Sequence, residues 1–207
     1  MRSAAVTKWI AEASPRSKAR ITGAVYLAYF LTAIFAEVVV GRGRHVAYVG
    51  INLVAYAFYI AVTLLFYFMF KPVNRGLSLL AALFSLARCA NELLGLFHLA
   101  PYKINSLVFF GPYCLLIGYL VFRSTFLPRI LGTLMSMAGL GWLIFLSPLG
   151  HHLSTDPKAT TFVAEASLML WLLVMGVNEQ RWEQQASAAR LVQTRHPEVE
   201  ADGSYRQ

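Results

Sequence analysis

Apolar residues run along this chain in six long stretches, residues 21–40, 46–70, 77–100, 104–122, 127–146 and 160–177, joined by short polar loops. Each stretch is close to the ~20 apolar residues required to cross a hydrocarbon core of about 30 Å. Backbone in lipid has no water to bond, so it must be helical or closed into a barrel. No stretch alternates with the period of two that a barrel strand requires. The pattern therefore predicts an all-α polytopic membrane protein with six transmembrane helices in one bundle. It divides the chain into a basic N-terminal segment (1–19), a transmembrane domain (20–178) and a polar C-terminal extension (179–207). Good helix formers after Val177 predict a solvated continuation of helix six, and Pro, Gly, Asp and Glu from His196 onward predict a disordered tail.

Composition sharpens the class. The chain is 57% hydrophobic and 14% charged, with a mean hydropathy of +0.56, whereas soluble domains carry about 25% charged residues. The net charge of +8 raises nucleic acid as a partner. The basic residues, however, are spread over loops and tails and line no groove with interleaved aromatics, so membrane lipid is the expected partner and nucleic acid is not.

The loops are short enough for their positive charges to set topology. With the N-terminus inside, the cytoplasmic side receives Lys8, Arg16, Lys18, Arg20, Lys71, Arg75, Arg123, Arg129, Arg181, Arg190 and Arg195. The other side receives Arg42, Arg44, Lys103 and Lys158. Both termini are therefore expected in the cytoplasm. The first apolar stretch is too long for a signal-peptide core and lacks a small-residue cleavage pattern, so it is expected to remain as an anchor.

Conventional chemical signatures are absent. Cys89 and Cys114 both fall inside predicted spans and read as small hydrophobes. There is no C-x-x-C, Walker loop, G-x-G-x-x-G or H-E-x-x-H. No cofactor and no metal is expected, and nothing favours an enzyme.

The informative residues are the ionisable ones inside the spans: Glu37, Arg88, Glu92 and Glu165, with Asn91 and His98 beside them. A charge at the bilayer centre costs roughly 2.5–3.5 kcal/mol on insertion scales, so it faces the bundle interior and finds a partner. At about 100° per residue, Arg88, Asn91, Glu92, Gly95 and His98 share about one third of the circumference of helix three. Arg88 and Glu92 form an i, i+4 pair able to neutralise each other, and Gly95 would admit a neighbouring helix. The topology puts Glu37, Glu92 and Glu165 in the outer half of the membrane, with His45, His98, His151 and His152 also on the outer side.

The plainest account of these groups is a structural polar lock; the sharper one is a proton- or cation-linked cavity open to the outside. A metal site using Glu37, Glu92, Glu165 and His98 or His151 lacks the spacing of a helical ligand pair. Helix two adds a stripe of Asn52, Tyr56, Tyr59, Thr63 and Tyr67. Tyr56 and Tyr59 lie too deep for the headgroup belt, so they read as hydrogen-bond donors between helices or to a buried carboxylate, or as the wall of an aromatic pocket. Tyr48 reads as a belt residue. Gly132, Ser136 and Gly139 make a small-residue seam on helix five, expected to pack tightly.

Several segments together resemble a known family. They are Ala19-Arg20-Ile21-Thr22-Gly23-Ala24-Val25-Tyr26-Leu27, Ile34-Phe35-Ala36-Glu37, Lys71-Pro72-Val73-Asn74-Arg75-Gly76-Leu77, Gly118-Tyr119-Leu120-Val121-Phe122-Arg123-Ser124, Leu127-Pro128-Arg129-Ile130-Leu131-Gly132, and Glu165 ahead of Leu170-Trp171-Leu172-Leu173. This set resembles the bacterial six-span membrane proteins grouped as domain of unknown function 4386, over nearly everything from Arg16 to Val177. The resemblance implies a multi-pass protein of the bacterial inner membrane and carries no activity, cofactor or catalytic residue with it. Three functions are compatible: a small binding, sensory or accessory module packed against a membrane-protein partner or a second copy; a proton- or cation-coupled transporter; and an intramembrane enzyme acting on lipid.

Overall fold

The computed structural model describes residues 14–41, 43–99, 104–148 and 157–204. Among the described residues the fold is all-α, with seven helices. They are α1 (Pro15–Ile34, extended by a π-helical turn over Phe35–Val40), α2 (His45–Phe70), α3 (Arg75–Leu96), α4 (Leu107–Arg123), α5 (Arg129–Leu146), α6 (Pro157–Val174) and α7 (Glu179–Ser204).

Local chemistry sets the ends. Ser14 caps α1 by accepting from the Ser17 amide at 3.3 Å, and Pro15 supplies the preset φ of a first helical position. Helix one thus begins earlier than its apolar run, inside the basic N-terminal segment. Asn74 caps α3 by accepting from the Leu77 amide at 2.9 Å. At the far end of α3 the chain closes with a Schellman pair: Leu99 N–H donates to Leu94 at 2.8 Å and His98 N–H to Gly95 at 3.1 Å. The left-handed residue of that motif, ordinarily glycine, is His98 at φ 56°.

Each of α1 to α6 packs on the next in sequence, and α6 returns to pack on α1, so the six apolar helices form a closed ring. Gly23 makes the closure, because a side chain there would run into the α6 backbone at Leu172 and Leu173. The tightest seam is between α4 and α5. A Cβ at Gly118 would lie 2.8 Å from the Gly132 carbonyl oxygen, and one at Gly139 would lie 2.8 Å from that of Gly111. The small-residue face of helix five is thus spent inside the chain, against α4, and is not left for a partner.

The two ends of the ring differ in charge. Phe70 and Phe126 stack at 6.1 Å, which brings the loops after α2 and α4 to one end. The start of α1 joins them there: Arg20 Nη2 donates to the Val174 carbonyl at 3.0 Å and Arg16 Nε to that of Met175 at 3.2 Å. Arg16, Lys18, Arg20, Lys71, Arg75, Arg123, Arg129 and Arg181 therefore gather at this basic end, while Arg44 lies at the other, the His45 end.

α7 corrects one expectation. It is not a straight continuation of α6 but bends away by 102°. The break falls at Gly176, whose φ of 70° an L side chain resists and whose Cβ position lies 2.9 Å from Arg16 Cγ. α7 then crosses the basic end, held by Trp182 Nε1 donating to the Met69 carbonyl at 3.1 Å and Arg181 Nη1 to that of Thr125 at 3.3 Å. The helix extends to Ser204, through the segment expected to be a disordered tail; its Glu and Ala residues are good helix formers.

Leu31, Leu64, Phe68, Leu83, Ile130 and Leu170 are among many large apolar side chains exposed around the ring. Among the described residues, four helices are long and apolar enough to cross a membrane: Pro15–Val40, His45–Phe70, Arg75–Leu96 and Arg129–Leu146. The bent pair of α6 and α7 makes a fifth candidate, and α4 is a shorter apolar helix. A water-soluble chain would bury such surface, so this is a membrane protein.

Candidate functional site

The ionisable residues of the bundle divide between two places. The first is a layer in the interior. The buried face of α3 is built from small residues (Ser78, Ala81, Ala82, Ser85 and Cys89), which lets α2 and α4 approach closely. Thr63 and Ser85 share a 2.6 Å hydrogen bond across the α2–α3 contact. One turn beyond Ser85, Arg88 Nη1 donates to the Tyr59 hydroxyl at 2.9 Å, and its guanidinium lies 4.2 Å from the centre of the Phe110 ring. On the opposite side the Tyr26 hydroxyl donates to Glu165 at 2.5 Å, joining α1 to α6.

Aromatic rings fill the space between. Tyr29 lies 4.8 Å from Tyr59 and 6.1 Å from Tyr26, and Tyr113 of α4 lies 6.4 Å from Tyr59. Arg88 and Glu165 thus stand on opposite sides of a layer of tyrosines. In a water-poor interior a guanidinium is stabilised by ring faces and hydroxyl oxygens, and a carboxylate by a hydroxyl donor. This layer is a set of hydrogen bonds and ring contacts that joins α1, α2, α3, α4 and α6.

The second place is a cleft at the His45 end, between the start of α2 and the end of α3. It encloses about 300 Å³ and is lined by His45, Tyr48, Tyr56, Glu92, Gly95 and His98. His45 and His98 stack at 6.0 Å with their planes 13° apart. Tyr48 also donates to Glu37, which projects from the π-helical turn of α1. Glu92 is half-buried, and no side chain among the described residues donates a hydrogen bond to it. A cleft with a carboxylate acceptor, two phenols and two imidazoles can hold a small polar molecule. No group of three or more His, Cys, Asp or Glu among the described residues could hold a metal ion.

Sequence reasoning named most of these residues but grouped them differently. Glu37, Arg88, Glu92 and Glu165 do not surround one cavity. Glu37 and Glu92 belong to the His45 end, Arg88 and Glu165 to the interior. Arg88 is engaged by Tyr59 and Phe110 rather than by Glu92, because the interior offers a planar cation a ring face while Glu92 remains at a wetter opening. Tyr59 is an interior donor-acceptor and Tyr56 a cleft wall. Asn91 belongs to neither place: its amide donates to the Ile104 carbonyl at 3.0 Å and to Ser106 Oγ at 2.7 Å, clamping the entry to α4.

Gly95 admits no helix. Nothing lies within 4 Å of its Cβ position, which opens onto the cleft. His151 and His152 lie outside the described residues. Tyr26, Tyr29 and Tyr113 were missed, although Tyr26, Tyr29 and Phe30 form an aromatic i, i+3, i+4 face that pointed to them. Tyr48, read as a belt residue, is the partner of Glu37.

Comparison with known proteins gives a family and no activity. A family model described as a domain of unknown function, DUF4386, matches residues 102–176, which span α4, α5 and α6 with the glycine seam and Glu165. A protein of Archaeoglobus fulgidus, described as uncharacterized, is 30% identical over 128 residues, covering 56% of this chain and 76% of the relative. No solved structure matches. With most of that relative aligned and the family model seated on the tightest seam of the ring, the chain belongs to the DUF4386 family.

Proposed function

We propose that this protein is a six-span binding module of the bacterial inner membrane, with both termini in the cytoplasm, that takes a small amine-bearing ligand from the outer side into the α2–α3 cleft. The closed ring supports six spans, since α4, at 17 residues, is a full member of it and meets the lower length limit of about 17 residues for a crossing helix. The gathering of positive charge at one end supports the orientation. α7 then lies along the inner surface.

The observation that carries the ligand reading is Glu92, a half-buried carboxylate with no hydrogen-bond donor among the described residues, at the wall of a cleft whose other walls are Tyr48, Tyr56, His45 and His98. Carboxylate and aromatic faces together suit an organic ammonium. The interior layer serves as a rigid support. Separation of the four charged groups into two environments favours binding over an ion-coupled carrier or an intramembrane enzyme, each of which needs its titrating groups in one cavity.

Topology is tested with cysteines placed singly at Lys71 and Thr125, which should both react only from the cytoplasmic side in intact cells. Binding is tested by titrating the purified protein with putrescine, choline and ethanolamine. At least one should bind, and Glu92→Gln should weaken it tenfold or more with the fold intact. If none binds, or if Glu92→Gln lowers thermal stability without touching affinity, Glu92 belongs to a structural lock and the reading fails.

A further inference from the structure

The 102° bend after α6 lays α7 over the end of α2, and the angle between them holds a second recess. It encloses about 210 Å³ and is lined by Phe68, Lys71, Trp182, Ala186, Ala189 and Arg190, with Pro72 at its edge. The two cationic side chains come from different elements, Lys71 from the loop after α2 and Arg190 from the fourth turn of α7. Among the described residues no carboxylate lines the recess. Trp182 fixes its geometry, since its indole N–H donates to the Met69 carbonyl at 3.1 Å and holds α7 against the bundle. The alanines at 186 and 189 keep the α7 wall low.

The walls differ in polarity along the axis of the bundle. Phe68 is 62% exposed and belongs to the apolar belt of α2, while Lys71 stands just past the last turn of that helix. An apolar wall that rises into two positive charges, beside a tryptophan at the end of a span, matches a lipid crossing from acyl chain to headgroup. We infer that the Lys71–Arg190 recess is a headgroup site for an anionic glycerophospholipid of the cytoplasmic leaflet, its phosphodiester between the two cations and an acyl chain along Phe68. Bound there, the lipid would clasp α7 to the bundle. The site is separate from the α2–α3 cleft, at the opposite end of the ring, so either can fail without the other.

The test uses the delipidated full-length chain in detergent, titrated with phosphatidylglycerol or phosphatidylcholine, with bound lipid counted by native mass spectrometry. Phosphatidylglycerol should bind in preference to phosphatidylcholine. Each surface cation contributes roughly a fivefold gain toward anionic lipid, so Lys71→Gln with Arg190→Gln should weaken phosphatidylglycerol by about 25-fold. The pair Arg75→Gln with Arg123→Gln, at the same end but outside the recess, should change it less than about twofold. Ala189→Glu, which puts a carboxylate into the recess from an exposed helix, should reproduce the loss and serves if the double Gln variant does not fold. Retained preference in both recess variants, an equal loss in the Arg75 and Arg123 control, or displacement of the lipid by equimolar glycerol phosphate would each overturn the site.

Discussion

Tyr26 and Glu165, 139 positions apart in sequence, meet through a 2.5 Å hydrogen bond that ties the first helix of the ring to the last. The bond stands close to Gly23, where the two backbones touch, so polar and steric closure coincide. Removing the phenol leaves a buried carboxylate without its donor, a change that typically costs about 1–3 kcal/mol. Tyr26→Phe should destabilise the protein by that amount, while Tyr26→Phe with Glu165→Leu should recover much of it. Denaturant unfolding in detergent micelles reads the cycle, and additive single and double effects would separate the two residues.

The α4–α5 seam predicts a contrast among glycines. Gly118→Ala and Gly132→Ala each place a methyl within 2.8 Å of the opposing backbone, so the helices must part. A loss of about 1–3 kcal/mol is expected. Gly50→Ala, in a helix with nothing within 4 Å of its Cβ position, should instead gain up to about 1 kcal/mol from helix propensity. Thermal unfolding of the three variants side by side checks the ordering.

His98 sets stability against function. A left-handed conformation costs a residue with a side chain roughly 1–2 kcal/mol, a cost that glycine escapes. His98→Gly should therefore raise the melting temperature while weakening any amine that binds the cleft. A variant that gains stability and keeps full affinity would remove His98 from the site.

Arg88 predicts that charge alone is insufficient. Its guanidinium uses the Tyr59 hydroxyl and the Phe110 ring face together, which the compact ammonium of lysine does not reproduce. Arg88→Lys should cost about 1–2 kcal/mol despite conserving charge. Phe110→Leu in the Arg88→Lys background should add less than it does in the wild type, measured by denaturant unfolding as a double-mutant cycle.

Cys89 and Cys114 are 3% and 0% exposed. Both should resist maleimide in the folded micelle-bound protein and react after unfolding in dodecyl sulfate, as mass spectrometry would record. Rapid labelling of either in the folded state would contradict the packing of α3 and α4 into the ring.

Much of the architecture was legible in the residues themselves. Hydrophobic run length dictates a helix in lipid whatever surrounds it, and the alternation of basic loops put the Lys71 and Arg123 turns at one end, where Phe70 and Phe126 meet. The charged side chains of the spans were equally conspicuous, because apolar surroundings make each one costly. How they group was not visible. A helical wheel reports the direction in which Arg88 and Glu92 point but not what stands there, and only the packed ring supplies Tyr59 and Phe110 for one while leaving an open cleft for the other. The bend at Gly176 was likewise hidden, since a glycine after an apolar run marks an end without an angle. Sequence alone determined where the long apolar helices fall, for that follows from local transfer free energy. Tertiary structure decided which polar groups meet and where α7 lies, for those depend on neighbours distant in the chain.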